Sequence, residues 1–535
     1  MDTAAFDKII CSHRIDTITH GLVDGAVGIS GDKIAYVGSV SGAEKQRDAH
    51  TEYIDLGNAF LMPGLIDGHT HMMPYRESVD LSGAESLKEC ASLISRFHKD
   101  HPDLPLIAGH DWFAANWGGQ LPSCRDVDSV LPDTPFFSGD MEMHMVWMNS
   151  AMMRRVGLSR ETIDAFSKHR PQMVDVDSDG NPTGLVHDEV AMDVILKENV
   201  TPDADNVSKM FDVWSRYGVT SINDMDFLTA DSAILSVIKE LEQTGRLNVR
   251  VFSSLDASKA SDESILQGQS FMSSDMFRLN ALKAFLDGTG AGKTAFMLQP
   301  YAGTSSCGNS YRTLDELEGF IRLAARHGLA THFHACGDAA VRQALESYEW
   351  AKRSGIPLDM RSSIEHLDTA KPSDIERISR LGITVNLTPD FLAPTKRWKD
   401  NPYIKAYDEP VRNELFSLGS FIRTGMNVSF GTDGSASSMN PMDQLFRAVA
   451  RVANDGEPAG GFRPEEGIRI DQALWCYTMG SAASIGMRDK VGSIETGKYA
   501  DLAAFNTDFL TAEPTEIKRA KAVLTVQNGR VVWEA

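Results

Sequence analysis

Eight short runs of apolar and β-branched residues, each suited to the middle of a sheet, set the tightest limit on how this chain can fold. They are LMPGLIDGHTH (61–71), VTSINDM (219–225), VRVFSSL (249–255), LKAFLD (282–287), ATHFHA (330–335), SSIEHL (362–367), ITVNLTP (383–389) and NVSFGTD (427–433). From about residue 200 onward they alternate with amphipathic stretches, the rhythm of repeated β-α units around a parallel sheet. One unit shows the grammar. In YRTLDELEGFIRLAARHGLATHFHACGD, Thr313 and Glu316 form a capping box, Leu314, Leu317, Phe320, Ile321, Ala324 and Ala325 recur at helical spacing, and Gly328 stops the helix before the run to His334. Eight parallel strands separated by helices predict an α/β fold, a closed (β/α)8 barrel of the TIM type, with its chemistry at the C-terminal strand ends.

The rest of the chain divides around that barrel. Residues 1–58 and 489–535 alternate apolar and polar positions around Gly and Asn-Gly turns, so the two chain ends are expected to build one small β-sandwich domain. The first barrel strand then falls in 59–75 and the rest of the barrel in 211–488. Between them, residues 76–210 form a long insertion carrying GHDWFAANWGG, GDMEMHMVWMNS and the turn-rich DVDSDGNPTG. A connection of that length, rich in Trp and Met, is expected to be a substrate-covering domain.

Composition removes several classes of function. Lys and Arg total 52 against 74 Asp and Glu, a formal net charge of −22 over 535 residues. With neither a basic run nor an aromatic-basic stripe, nucleic acid and anionic membrane are poor partners. The six cysteines stand far apart without a C-x-x-C pair, which argues against a thiolate zinc site or a disulfide framework and fits a reducing cytoplasm. No basic start followed by a long apolar stretch opens the chain, and no run is long enough to span a bilayer, so a cytoplasmic protein is expected, with homo-oligomers left open. LDGTGAGKTAF (286–296) looks like a phosphate-binding loop, but Asp287 occupies the position where the first glycine is needed and a proline follows too soon for the required helix.

The chemistry-bearing residues lie where the strands end. His69 and His71 are two apart on one strand, so both side chains leave the same face and can reach one cation. Lys283 lies on the fourth run, His334 and His366 end the fifth and sixth, and Asp433 closes the eighth. Buried imidazole, carboxylate and ammonium groups each need partners, which argues against a purely structural role for such a set. A lysine buried at a strand end has its charged form disfavoured, and the neutral amine can add carbon dioxide to give a carbamate with two oxygens.

These stretches resemble the amidohydrolase superfamily. LMPGLIDGHTH is similar to its first-strand signature, HFHACGDAA and SIEHLD to its fifth and sixth, and GTDGSASSMNP to its eighth. Within it, LKAFLDGTGAGKTA, MHMVWMNSAMM, SDGNPTGLV and GSIETGKYADL resemble the YtcJ-like branch, which includes N-substituted formamide deformylases. The resemblance covers nearly the whole chain. It implies a carbamate on Lys283 bridging two divalent ions, with His69 and His71 on one, His334 and His366 on the other, and Asp433 beside the first. Were Lys283 instead paired with Asp287 or a neighbouring carboxylate, the site would hold one ion. All-N/O ligation suits zinc or a similar divalent metal, and Asp433 is placed by resemblance to move the proton between water and the leaving nitrogen.

Further candidates for substrate contact are His144, Trp117, Asp287 and His332. His332 shares a strand face with His334, so spacing leaves the metal ligand open between them; the ACGD that follows matches the family at His334. Trp112, Phe113 and Trp117 suggest a pocket that tolerates aromatic groups. Lys293 stands where relatives often carry Arg, and the Met-rich GDMEMHM suggests a surface that accepts many shapes. The expected activity is metal-dependent hydrolysis of a non-peptide C–N bond in a small N-acyl or N-formyl amide. A deaminase or cyclic-amide hydrolase on the same metal site is the first alternative. A catalytically silent binding or regulatory protein is the second, and the full set of six site residues counts against it.

Overall fold

The computed structural model describes residues 5–141, 144–168, 171–198, 201–395, 397–434 and 436–535. Glu142 and Met143 of the Met-rich stretch lie outside the described residues. The eight expected strands are Leu65–Thr70, Val219–Leu228, Arg250–Asp256, Phe277–Phe285, Ala330–Ala335, Ser363–His366, Thr384–Leu387 and Asn427–Phe430. They hydrogen-bond in chain order, every neighbouring pair parallel. Between the fifth strand and its predecessor, helix Leu314–Arg326 begins at Thr313 with the reciprocal capping box expected from Glu316.

The seam between the eighth and first strands is closed beyond the strand ends. The His69 carbonyl accepts from Asp433 N–H at 2.8 Å, and the Gly434 carbonyl accepts from His71 N–H at 2.6 Å. Glycine is required for that approach: a Cβ on Gly431 would lie 2.4 Å from the His69 Cβ, and one on Gly68 would lie 2.1 Å from Ser429 Oγ. The eighth strand stops at Phe430, so Asp433 lies in the loop beyond it and not on the strand. After Lys293 the next helix is Leu314–Arg326, so the Gly-rich stretch lacks the helix N-terminus that a phosphate loop needs.

Both chain ends do meet. Strands from residues 8–63 and 502–534 share one eight-stranded sheet, in which Leu502–Phe505 pairs antiparallel with Phe60–Pro63. That strand runs directly into the first barrel strand, so the terminal sheet is anchored where the barrel begins. A buried ion pair ties the two further: Arg250 Nε donates to Asp501 Oδ2 at 2.6 Å and Nη2 to Oδ1 at 3.2 Å, with the side chains 0% and 2% exposed. Arg250→Ala strands a buried carboxylate and is expected to cost about 3–5 kcal/mol, read as a fall in the denaturant midpoint; a midpoint unchanged from the parent would show that the pair is not holding the sheet to the barrel.

The insertion is built on its own six-stranded sheet, ordered so that Met145–Met148 lies between Phe136–Asp140 and Pro182–His187. Strand alternation divides its residues between two cores: Ile107, Phe136, Trp147 and Leu185 enter one, while Ala108, Phe137, Val146 and Val186 enter the other. Much of the Trp and Met content is used there. Trp112 and Trp147 are fully buried, and each indole N–H finds a carbonyl, Ser138 at 3.0 Å and Ser123 at 2.8 Å. Among the described residues, no helix is long and apolar enough to cross a membrane.

Candidate metal centre

At the C-terminal mouth of the barrel, His69, His71, His334, His366 and Asp433 line one small cavity of about 30 Å³, joined by His144 from the insertion. Asp433 is its hub. One carboxylate oxygen lies 3.3 Å from His69 Nε2 and 3.1 Å from His71 Nε2, and the other lies 3.9 Å from His366 Nδ1. The imidazole of His366 sits between those of His69 and His334, with ring centroids 4.7 Å and 4.4 Å away. Lys283 Nζ is 3.5 Å from His69 Nε2, and its side chain is buried. The structure thus brings together the six residues that the resemblance implied as ligands.

Local backbone geometry aims these groups. Asp67 on the first strand accepts the Thr432 N–H at 2.9 Å and the Thr432 hydroxyl at 2.6 Å. That capture fixes the loop immediately before Asp433, whose φ is +50°. His366 and Leu367 also have positive φ, +74° and +48°. Such conformations cost non-glycine residues roughly 1–3 kcal/mol each and persist where surrounding contacts enforce them, often at functional sites. The turn at His366 brings its ring inward although its neighbour Glu365 already points into the barrel.

Glu365 is the residue that sequence reasoning missed. Its carboxylate accepts from His69 Nδ1 at 2.6 Å, takes the Ser363 hydroxyl, and lies 3.6 Å from His332 Nδ1. A carboxylate on Nδ1 fixes the tautomer, so that His69 presents Nε2 to the centre. The available signal was a charged residue directly before His366 in a run expected to form a buried barrel strand.

Electrostatics follow from burial. Burial favours the neutral amine of Lys283, against the pull of the Glu365 and Asp433 carboxylates. Burial holds His334 and His366 well below the ordinary imidazole value, so both are neutral donors. Burial would raise Asp433, but the neighbouring histidines outweigh it and keep the carboxylate ionised. His69, His366 and Asp433 each offer a ligand atom within 4.8 Å of the others, and buried His366 Nδ1 has no hydrogen-bond partner. This donor set fits a divalent cation, which would satisfy that orphaned nitrogen. A second group joins His334 to Asp287 and Cys336. The Cys336 thiol, 3.5 Å from His334 Nε2, is pushed well above its ordinary value by burial and by Asp368 and Asp287, which disfavours the thiolate form that binds metal.

The remaining sequence candidates separate. His332 lies in the barrel interior with Nδ1 2.6 Å from Ser363 Oγ, while His334 lines the cavity. Asp287 lines neither the small cavity nor the larger one beside it; its carboxylate accepts backbone N–H groups of Phe296, Cys336 and Gly337 at 2.8–3.0 Å and so pins the loop after the fourth strand. Burial pushes that carboxyl up to about 8, against the pull of those three donors. Trp117 stacks on Trp112 and donates its indole N–H to the Gln120 carbonyl at 2.8 Å, so it supports the loop from behind. The larger cavity, about 740 Å³, is lined instead by Phe113, Leu121, Met145, Met173, Lys293 and Tyr311, with His144 in its wall as well.

The chain is similar to known proteins along most of its length. The chain is 26% identical over 506 residues to the putative amidohydrolase YtcJ of Bacillus subtilis, covering 92% of each protein. It is 25% identical over 533 residues to the N-substituted formamide deformylase of Arthrobacter pascens, covering 95% of each. Among solved structures, an uncharacterized metal-dependent hydrolase from Pyrococcus horikoshii OT3 superposes with a TM-score of 0.75 at 22% identity, over 95% of this chain and 99% of that one. The amidohydrolase family model matches residues 52–533. A match that runs from the terminal sheet through the whole barrel and back shows that the chain belongs to the amidohydrolase family.

Proposed function

We propose that the chain is a metal-dependent hydrolase of non-peptide C–N bonds that acts on N-acyl or N-formyl amides with an apolar part. The observation that carries this reading is the meeting of His69, His71, His334, His366 and Asp433 around one cavity, with Lys283 Nζ 3.5 Å from His69 Nε2; the cavity wall, at His144, is shared with a larger cavity to which Phe113, Leu121, Met145 and Met173 give apolar surface. Similarity to a formamide deformylase along 95% of both chains supports the amide class.

His69, His71, His334, His366 and Asp433, with Lys283 as a carbamate, would hold one or two divalent ions; zinc suits these ligands. A bound divalent ion supplies Lewis-acid polarisation of a carbonyl and lowers the pKa of water towards about 7. The chain's own groups do the rest. Asp433, kept ionised by the surrounding histidines, accepts the proton of the attacking water and passes it to the leaving nitrogen as the C–N bond breaks. Glu365 holds His69 in the tautomer that this arrangement needs. The insertion, residues 76–210, covers the substrate, and Phe113, Met145 and Met173 in the larger cavity receive its apolar part.

A panel of N-formyl and N-acyl anilines, offered to metal-loaded protein, tests this. Release of the aniline with one carboxylate per turnover is the expected result. Ammonia or ring opening from cyclic amides and amidines in its place would favour the deaminase or cyclic-amide reading, and turnover of none of them would remove the amide assignment.

A further inference from the structure

The two cavities share His144, and its position is set by groups from two separate parts of the chain. His144 precedes the strand Met145–Met148, which pairs antiparallel with Pro182–His187 in the register Met145 opposite His187. One step beyond that pair, Asp188 N–H donates to the His144 carbonyl at 2.7 Å, so the two residues extend the ladder. Their side chains meet too: Asp188 Oδ1 accepts from His144 Nδ1 at 2.7 Å. The other oxygen of Asp188 accepts the Tyr311 hydroxyl at 2.8 Å. Tyr311 comes from the loop after the fourth barrel strand, and its neighbour Arg312 reaches Glu189 at 3.2 Å, which doubles the link.

Several features mark Asp188 as more than a surface brace. It has a φ of +49°, in the left-handed region that is uncommon for residues other than glycine. Its side chain is only 8% exposed. Burial would raise its pKa, yet the His144 and Tyr311 hydrogen bonds outweigh that and keep it a carboxylate. His144, Asp188 and Tyr311 all line the larger cavity, and His144 alone of the three also lines the small one. A carboxylate on one imidazole nitrogen fixes both the tautomer and the orientation of the ring.

We propose that Asp188 is a positioning residue that holds His144 between the metal cavity and the larger cavity as the imidazole that contacts the substrate amide, with Tyr311 locking that arrangement to the barrel loop. The substrate in this statement rests on the amide-hydrolysis reading above; the positioning of His144 does not. His144 and Tyr311 donate to different oxygens of Asp188, so Asp188→Asn replaces one of those acceptors with an NH2 donor and breaks one of the two bonds as they stand.

The test uses full-length, metal-loaded protein and the N-acyl or N-formyl aniline turned over fastest. Asp188→Asn and His144→Ala are each expected to raise KM about tenfold, with kcat changed less than about threefold and metal content unchanged. The double variant should be no worse than His144→Ala alone, because Asp188 acts through His144. Tyr311→Phe keeps the Asp188–His144 bond and should raise KM by a smaller factor; it carries the same cycle with His144→Ala should Asp188→Asn fail to fold. A readout without turnover runs alongside: in [15N]histidine-labelled protein, the Nδ1–H resonance that is lost in His144→Ala should shift upfield in Asp188→Asn. Additive losses in the double variant, or an unchanged resonance and KM in Asp188→Asn, would overturn the proposal. If the parent turns over no amide while the resonance shifts as stated, the amide reading fails and the positioning of His144 stands.

Discussion

Lys283→Ala is expected to empty at least one metal position and to lower kcat by roughly 10³-fold or more, since both water activation and carbonyl polarisation depend on the ion. The side chain is buried with its nitrogen 3.5 Å from His69 Nε2, and burial favours the neutral amine from which a carbamate forms. Alanine removes the amine on which the proposed carbamate would form. Small carboxylic acids supplied with metal should therefore restore part of the activity by standing in for the lost carbamate. Lys293→Ala is the control. Lys293 is exposed and lines the larger cavity, so its loss should alter KM at most and leave metal content unchanged. A filled centre in Lys283→Ala together with an empty one in Lys293→Ala would mean that the roles of the two lysines are reversed.

Glu365→Gln is expected to weaken metal binding by about 10–100-fold, the usual effect of removing the group that orients a ligating histidine. The substitution keeps volume and polarity but exchanges a charged acceptor for a neutral amide. His69 Nδ1 then loses its 2.6 Å carboxylate partner, and the ring is no longer biased to present Nε2. Burial would raise Glu365, but His332 and His69 hold it well below the ordinary carboxylate value, so the charge lost is one the folded site has stabilised. Competition with a chromogenic chelator gives the affinity directly. Metal binding as tight as in the parent would show that His69 needs no such partner.

How far the site was legible in the sequence depended on whether its geometry was local. The barrel could be read because each β-α unit carries its own punctuation, as at Thr313, Glu316 and Gly328, and because strand ends collect the polar residues. His334 and His366 sit at such ends. Asp433 was placed on the eighth strand by the same logic, but the strand stops at Phe430 and the aspartate is delivered by a turn that Asp67 fixes through Thr432. Glu365 escaped notice because strand alternation sends neighbours to opposite faces, and a positive φ at His366 defeats that rule. The insertion misled in another way: Trp112, Phe113 and Trp117 suggested a pocket, and Phe113 does line the larger cavity, but Trp112 is buried in the insertion's own core and Trp117 packs against it. The link from His144 through Asp188 to Tyr311 depends on a strand register and a loop more than a hundred residues apart, which no local pattern records.

The central claim is that hydrolysis runs on a divalent ion held at the barrel mouth, and metal analysis of the purified protein coupled to amide turnover tests it most directly. About one to two zinc-like ions per chain are expected, with activity abolished by chelation and restored by readdition of metal. Metal-free protein that cleaves the amide at an undiminished rate would contradict the account.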